Sequence, residues 1–445
     1  MVITLNLDEW YKHKHLSWKG GKLHFVGQDV TSLSKRYGTP LYVTSQDIIE
    51  QRYDELHAAL RSQYDKIRIH YAVKANSNPA VLKILKDKDA RADCVSIGEI
   101  QHCLKAGFEP SRILYTGNNQ THEQLKFAFE QGVNVNLDSI SQVKTLASML
   151  EEETRAKLPL ISFRINPEIG AGHHEHCITA GRNVKFGILD EQVEEAYRKA
   201  LDVGFSRFGI QTHIGSGILD VDAFKKAGSR YLEIVSSLHA KLGINFEFID
   251  FGGGIGIPYK PSEDPLDLDK YAETMIGLFK EACETGGLGT PNFCVEPGRY
   301  IVGESTILVV QINTIKVTPY KQFAGVNAGF NTLVRPAMYG SYHHVITCTR
   351  DTGDGNNRKA TYDIVGQICE SGDILAKERE LPILNEGDYL VLLDAGAYGF
   401  SMASEYNSNP LPAEVLIRGS DAALTRERQT FQDLLRHVKI PPWLK

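Results

Sequence analysis

The sequence predicts an α/β protein with a (β/α)8 barrel and a second domain that is rich in β-strands. Eight short apolar runs recur between residues 67 and 295, and stretches with helical periodicity separate them. Each run ends in a cluster of polar residues, and in this fold the active site lies at the carboxyl ends of the strands. Helical periodicity is largely lost after about residue 305, which predicts the β domain.

The eight predicted strands are mostly continuous apolar runs, as expected for parallel strands that are covered on the outside by helices. They span residues 67–73, 92–95, 112–115, 133–137, 160–164, 208–213, 246–251 and 292–295. Asn78, which precedes a proline, is a predicted N-cap, and Thr121 with Gln124 and Ser139 with Gln142 have the spacing of capping boxes. Helices are therefore predicted at about 79–88, 98–106, 122–131, 140–156, 191–203, 221–242 and 269–286.

The predicted β domain combines both ends of the chain. Its carboxyl-terminal part contains β-rich runs at 306–317, 361–368, 389–393 and 413–418. Two short strand-like pieces near the amino terminus, at 23–26 and 41–43, cannot belong to a barrel that is already complete. We therefore expect residues 1–44 to supply strands to the β domain, 45–305 to form the barrel, and 306–445 to form a β-sandwich or β-barrel-like domain.

Composition is that of an ordinary globular protein and excludes several functional classes. The 445 residues are 42% hydrophobic and 23% charged, and the formal charge of -6 includes no long single-sign run, which argues against nucleic acid as a partner. No apolar run suits a signal peptide or a membrane span, so we expect a cytoplasmic protein with no membrane association. The seven cysteines form no CxxC pair, and the loop with His173, His174 and His176 supplies no acidic partner beyond Glu175, so no metal site is predicted.

The polar strand ends predict a cofactor site. Lys74 follows the first strand, three glycines follow the seventh, and Glu296 and Arg299 follow the eighth. A barrel commonly binds phosphate with the loops after strands seven and eight. The glycines do not satisfy G-x-G-x-x-G because Ile257 stands at the third glycine, so a dinucleotide site is disfavoured.

A lysine that faces an arginine-assisted phosphate site, with a carboxylate beside it, predicts pyridoxal 5'-phosphate held on Lys74 as a Schiff base. Glu296 suits the pyridine nitrogen, and His213, after the sixth strand, suits the face of the ring. The predicted phosphate ligands are Ser216, Gly253, Gly254 and Arg299.

Seven motifs in the same order resemble the barrel-type pyridoxal-phosphate-dependent amino acid decarboxylases, across about residues 25 to 420. Within that family the chain is most similar to the members that act on diaminopimelate. The motifs are YAVKAN at 71–76, HIGS at 213–216, GGG at 252–254, EPGR at 296–299, CESGD at 369–373, DAGAYG at 394–399 and YN at 406–407. The resemblance implies that the cofactor is bound by Lys74, His213, Ser216, Gly252, Gly253, Gly254, Glu296, Gly298, Arg299 and Tyr398.

The resemblance also implies a homodimer with shared active sites, in which Cys369 and Glu370 enter from the partner subunit. Lys74 and Cys369 would be catalytic, with Cys369 returning a proton to Cα after CO2 leaves. The family's substrate contacts fall on Arg299, Arg335, Tyr339, Glu370 and Tyr398.

Two arginines suit a second carboxylate and Glu370 suits a second ammonium group, which favours the small amino acid meso-2,6-diaminopimelate, decarboxylated to L-lysine. The alternatives are decarboxylation of D-lysine and D-ornithine or of carboxynorspermidine, and a non-catalytic regulator on the same barrel. A racemase is disfavoured because the cysteine and glutamate motif matches decarboxylases. Gln367 and Asn409 depart from the residues that are usual in the family, proline and arginine respectively.

Overall fold

The computed structural model describes residues 15–149, 160–172, 174, 179–349 and 358–444. It divides into two compact units. The barrel unit comprises Ile49–Ile257 and Asp264–Ile301, and the β unit comprises the chain up to Ile48, Pro258–Glu263 and the chain from Val302. None of the described helices is long and apolar enough to cross a membrane.

The amino-terminal part of the β unit contributes strands to two different sheets. Its elements are β1 Leu16–Lys19, β2 Lys22–Phe25, β3 Gln28–Asp29, α1 Val30–Tyr37 and β4 Leu41–Ser45. The predicted piece at 41–43 is β4, which joins the large sheet of this unit. The piece at 23–26 corresponds to β2, which instead belongs to a separate three-stranded sheet with β1 and β3.

All eight predicted barrel strands are present and parallel, and the ring closes between the first and the last. They are β5 Ile67–Ala72, β6 Arg91–Cys94, β7 Ile113–Tyr115, β8 Asn134–Leu137, β9 Ile161–Asn166, β11 Phe208–Thr212, β12 Phe246–Asp250 and β13 Asn292–Val295. The two-residue strand β10 Ile188–Leu189 pairs beside β9 and was not predicted. The prediction of a (β/α)8 barrel is therefore confirmed.

Helices separate the barrel strands as predicted. An unpredicted helix, α2 Gln46–Arg61, precedes the first barrel strand. The predicted helices are α3 Pro79–Asp87, α4 Ile97–Lys105, α5 His122–Glu130, α6 Ser141–Met149, α7 Asp190–Val203, α8 Val221–Leu242 and α9 Leu268–Gly286, and the short, unpredicted α10 Arg299–Val302 follows the last strand. Asn78 caps α3, and Thr121 with Gln124 forms the complete capping box of α5. Ser139 and Gln142 form only half of one, because the Gln142 side chain accepts from the Ser139 amide while the Ser139 hydroxyl pairs with Ser141.

The sequence prediction omitted α2, although its buried residues Ile48, Ile49, Tyr53, Leu56 and Leu60 recur at helical spacing. The helix predicted at 140–156 corresponds to α6, and its last predicted part, residues 150–156, lies outside the described residues.

The carboxyl-terminal part of the β unit is built on the long strand β14. Its elements are β14 Thr306–Val317, β15 Gln322–Val326, α11 Arg335–Tyr339, β16 Val345–Thr347, β17 Lys359–Val365, β18 Ile374–Pro382, β19 Tyr389–Leu392, β20 Ala413–Arg418, β21 Asp421–Arg426 and α12 Phe431–Leu435. In β14, Ile307 and Val309 enter one apolar core, while Leu308 and Val310 enter another. Because successive side chains point to opposite faces, the sheet is covered on both sides.

The barrel interior leaves no room at one strand contact, which gives a stability prediction. A methyl group on Gly209 of β11 would lie 2.3 Å from the ring of Phe248 on β12. We expect Gly209→Ala to lower the free energy of unfolding by about 1–3 kcal/mol because the ring must move. In urea titrations Gly277→Ala is the control, since a methyl group there meets no atom of the described residues within 4 Å and should raise helix stability by roughly 0.5–1 kcal/mol. Equal stabilities for Gly209→Ala and the wild type would contradict this packing.

Candidate active site

Lys74 lies in the short 3-10 turn that follows β5, at the carboxyl end of the barrel strands. Its Nζ donates a hydrogen bond to Oδ2 of Asp93 at 2.7 Å, and the side chain of Lys74 is 31% exposed while that of Asp93 is fully buried. The parallel pairing of β5 with β6 sets Ala72 beside Asp93, which explains why the two charges meet. Oδ1 of Asp93 is buried and has no hydrogen-bond partner among the described residues.

Glu296 follows β13, the strand on the other side of β5. Its Oε2 accepts a hydrogen bond from Gln211 Nε2 at 3.0 Å, and its buried Oε1 has no partner within the described part of the chain. Burial, followed by the charges of Asp93 and Asp250, raises the pKa of the Glu296 carboxyl well above its usual range. A buried carboxylate oxygen with no donor suits the protonated ring nitrogen of pyridoxal phosphate.

His213 lies directly after β11, and its Nδ1 accepts a hydrogen bond from the Gly253 amide at 3.1 Å. An amide can only donate, so the ring proton of the neutral imidazole is on Nε2. Burial, followed by the positive charges of Arg164 and Lys74, lowers the pKa of His213 well below its usual value. The site therefore has a neutral, flat ring, which suits stacking on an aromatic cofactor.

Arg299 begins α10, and its Nη2 donates to the Ser216 hydroxyl at 3.1 Å. The guanidinium group is nearly buried, at 5% exposure of the residue. A guanidinium group next to a hydroxyl is an arrangement that binds the oxygens of a phosphate. These two residues fit the phosphate end of the cofactor.

The glycines after β12 and β13 let the loops of neighbouring strands touch. A methyl group on Gly252 would lie 2.2 Å from the Thr212 carbonyl, and one on Gly253 would lie 2.3 Å from the Glu296 carbonyl. The Gly252 amide donates to Asp250 and the Gly253 amide donates to His213, so both amides already have protein acceptors. A direct phosphate contact of these glycines stays a prediction.

Gly298 and Gly254 are also closely surrounded. A methyl group on Gly298 would lie 2.9 Å from Cβ of Ala75, beside Lys74, and one on Gly254 would lie 3.1 Å from the Gly215 carbonyl. Gly254 has a φ of 115°, a conformation that favours glycine. Both positions therefore hold the loops of the site close together.

A hydrogen-bonded pair supports the glycine loop from below. Nδ1 of His70 lies 2.9 Å from Oδ2 of Asp250, and Oδ1 of Asp250 accepts from the Gly252 amide at 2.8 Å. These two side chains and Cys294 are buried, and their potential metal ligand atoms lie within 4.8 Å of one another. Both oxygens of Asp250 already have protein partners, so hydrogen bonding accounts for the cluster. Of the three loop histidines, His173 and His176 lie outside the described residues.

The remaining predicted residues belong to the β unit. Arg335 of α11 is buried, its guanidinium group lies 4.6 Å from the centre of the Tyr259 ring, and its Nη1 donates to Nε2 of His343 at 3.0 Å. Tyr339 ends the same helix and is partly exposed. Tyr398 follows β19 with a φ of 58°, in the left-handed region.

An exposed cluster contains Cys369 and Glu370. The Cys369 amide donates to Oδ1 of Asn407 at 3.2 Å, and the Tyr406 hydroxyl donates to Oε1 of Glu370 at 2.6 Å. That hydrogen bond to Glu370 raises the pKa of Tyr406. The motifs at 369–373 and 406–407 are therefore one structural group.

The two departures from the family pattern meet beside this cluster. Nε2 of Gln367 donates to Oδ1 of Asn409 at 3.1 Å, although 42 positions separate them in the chain. The two residues that depart from the family pattern are therefore hydrogen-bonded to each other.

Three buried residues near Glu296 were not assigned to the site from the sequence. Arg164 on β9 is buried with its guanidinium group 4.5 Å from the centre of the Phe186 ring, and burial lowers its pKa. Gln211 and Asn136 are fully buried on β11 and β8. The available signals were a polar residue within a mostly apolar predicted strand, for Gln211 and Asn136, and a polar strand end, for Arg164; residues of alternate positions in a barrel strand point to the interior.

Comparison with known families agrees with this geometry. Residues 48–303 match the model of the pyridoxal binding domain of pyridoxal-dependent decarboxylases. The chain is 50% identical to the diaminopimelate decarboxylase of Methanothermobacter thermautotrophicus over 421 residues, which cover 95% of this chain and 96% of the relative. It is 38% identical to the diaminopimelate decarboxylase of Archaeoglobus fulgidus, over 96% of this chain and 99% of the relative.

Solved structures show the same similarity. The crystal structure of diaminopimelate decarboxylase from M. jannaschi superimposes with a TM-score of 0.90 at 31% identity, covering 98% of this chain and 100% of that one. The Helicobacter pylori enzyme, solved in complex with L-lysine, superimposes with a TM-score of 0.84 at 33% identity over 92% of this chain and 98% of that one.

Glu99 on α4 gives a pH-dependent stability prediction. Burial raises the pKa of Glu99 from 4.5 to about 7, although the hydrogen bond from the Val95 amide and the charge of Lys74 act to lower it. A raised acid pKa means that the folded chain binds the proton more tightly, so stability is lost as the pH rises through this window. We expect Glu99→Gln, which keeps a side-chain oxygen for the Val95 amide, to remove this loss.

The free energy of unfolding is measured for both proteins at pH 5 and at pH 8. We expect the value for Glu99→Gln minus that for the wild type to be about 1–3 kcal/mol larger at pH 8 than at pH 5. Glu273→Gln, on the exposed face of α9, is the control for loss of one carboxyl group. A wild-type to variant difference that stays constant with pH would contradict the protonated state of Glu99.

Proposed function

This chain belongs to the family of pyridoxal-dependent decarboxylases, and from that premise we propose that it removes CO2 from meso-2,6-diaminopimelate and releases L-lysine. Relatives that are named diaminopimelate decarboxylase align with almost the whole length of this chain. One structural observation carries the proposal: the Lys74 ammonium group is held on the buried Asp93 of β6, and the buried Glu296 follows β13, on the other side of β5. The protein is therefore a pyridoxal-phosphate-dependent carboxy-lyase, and its reaction supplies lysine.

The barrel residues hold and tune the cofactor. When bound, pyridoxal phosphate accepts the electron pair that departing CO2 leaves at Cα. Lys74 supplies the amine for the covalent link, and Asp93 holds that amine at the end of β5. Glu296 accepts a hydrogen bond from the ring nitrogen and keeps it protonated, while Arg299 with Ser216 binds the phosphate. The neutral His213 ring packs on the cofactor without adding a charge.

The substrate contacts and the proton donor are further parts of the proposal. Arg299, Arg335 and Tyr339 bind the distal carboxylate, and Glu370 binds the distal ammonium group. Tyr398 contacts the cofactor phosphate or the substrate. The Cys369 thiol gives its proton to Cα after CO2 has left. The resemblance supports these roles, together with the exposed position of Cys369 and its contact with the 406–407 motif.

The active protein in this proposal is a homodimer, with Cys369 and Glu370 entering the site of a second copy. Their exposure in the single chain, together with that of Tyr406 at 43%, supports a face that a second copy covers. We also propose that the barrel unit and the β unit are the two domains predicted at 45–305 and at 1–44 with 306–445.

Substrate specificity is tested by supplying meso-diaminopimelate, D-lysine, D-ornithine and carboxynorspermidine separately to the cofactor-loaded protein and measuring CO2. We expect release from the first compound and little from the others. Lys74→Ala should lower kcat by several orders of magnitude because the amine is lost. Lys83→Ala, which removes an exposed lysine paired with Asp87 on α3, is the matched control and should keep full activity. No CO2 from meso-diaminopimelate would overturn the proposal.

Shared active sites are tested by mixing two inactive variants, Lys74→Ala and Cys369→Ala, under conditions that exchange subunits. If each site combines Lys74 from one copy with Cys369 from the other, half of the dimers are mixed and each has one intact site. Activity should therefore return to about a quarter of the wild-type level. If the mixture stays inactive although mass analysis shows mixed dimers, the two residues belong to the same chain's site.

A further inference from the structure

A chain of buried polar side chains crosses the barrel interior and ends on Glu296. Ser162, Asn136 and Gln211 are each 0% exposed, and we name them the amide relay. The Ser162 hydroxyl donates to Oδ1 of Asn136 at 2.7 Å, Nδ2 of Asn136 donates to Oε1 of Gln211 at 3.1 Å, and Nε2 of Gln211 donates to Oε2 of Glu296 at 3.0 Å. The relay residues come from β9, β8 and β11, so three separate strands contribute to it.

The direction of the hydrogen bonds follows from the chemistry of the last group. An ionised carboxylate only accepts, so the Gln211 amino group faces Glu296 and the Gln211 carbonyl must face the Asn136 amino group. The Asn136 carbonyl then faces the Ser162 hydroxyl. A protonated Glu296 that donated to Gln211 would require both amides to turn round. The observed order therefore excludes a proton on Oε2 of Glu296 and is the order that the ionised form requires.

Other charges around Glu296 act in both directions. Burial, then the carboxylates of Asp93 and Asp250, raises the pKa of Glu296, whereas the charges of Lys74 and Arg164 lower it. The relay adds a hydrogen-bond donor, which like the two cations favours the ionised form of Glu296 but carries no charge. It thereby opposes the burial cost of the carboxylate, since hydrogen bonds to an ionised group are stronger than those between neutral groups.

We propose that Gln211 is a positioning residue which, with Asn136 and Ser162 behind it, keeps Glu296 ionised and turns its Oε1 toward the ring nitrogen of the cofactor. The inference rests on the proposed function for the presence of the cofactor. The buried Oε1, which has no donor among the described residues, is the atom that the relay leaves available. The relay thus decides on which side of the hydrogen bond, carboxylate or ring nitrogen, the proton lies.

The test uses the full-length protein loaded with pyridoxal phosphate that carries 15N in the ring. Gln211→Met keeps the shape of the side chain and removes the donor. We expect the ring-nitrogen NMR shift to move from the pyridinium value in the wild type toward that of unprotonated pyridine. We also expect kcat for meso-diaminopimelate to fall roughly 10- to 100-fold while KM changes little, because the lost bond was to a charged group.

Thr212→Val is the matched control on the same strand. It removes one buried hydrogen bond, from Thr212 to the Ile165 carbonyl, that does not lead to Glu296, so its nitrogen shift should equal that of the wild type. Ser162→Ala removes the far end of the relay and should shift the nitrogen signal in the same direction by a smaller amount. If Gln211→Met does not fold, Ser162→Ala decides the question.

The outcomes separate the two proposals. A pyridinium shift that is unchanged in Gln211→Met, or in Ser162→Ala where that variant decides, overturns the inference while the proposed function stands. A wild type that binds no cofactor or releases no CO2 overturns the proposed function, and the inference with it.

Discussion

The structure depends on one constraint, the burial of two carboxylates at the carboxyl ends of the two barrel strands that flank β5. Asp93 is fully buried and Glu296 nearly so, and each keeps one buried oxygen without a partner among the described residues. An isolated buried carboxylate costs several kcal/mol, so the surrounding chain must supply positive charge and donors. Lys74 follows β5, the strand between β13 and β6, and pairs with Asp93. In the proposed cofactor-loaded protein, a cationic ring nitrogen would complete the balance at Glu296.

The barrel strands and much of the site could be predicted because they follow local rules. Apolar runs of strand length predicted all eight strands, with ends displaced by at most two residues, and polar strand ends marked Lys74, His213, Glu296 and Arg299 as candidate site residues. Complete side-chain caps, as at Thr121, could be predicted because both partners lie within one turn. Ser139 satisfied the same spacing, yet its hydroxyl pairs with Ser141, and spacing alone does not distinguish the two.

The supporting network could not be predicted because it depends on barrel closure. His70 and Asp250 are 180 positions apart, on the first and the seventh barrel strands, and they meet only when the ring closes. Gln211 is the single amide of its predicted strand and Asn136 is one of two in its own, and a linear pattern does not reveal that they point at each other. The pairing of Gln367 with Asn409 is equally non-local, and it shows that two apparent departures from a family pattern form one interaction.

The central claim is that the lysine held on Asp93 carries the cofactor, and chemical labelling tests it most directly. Borohydride makes the bond between pyridoxal phosphate and its lysine irreversible, and mass analysis of the digested protein then locates the label. The account predicts the label on Lys74 alone, and its disappearance with Lys74→Ala. A label on another lysine, or none on protein that has been saturated with pyridoxal phosphate, would contradict it.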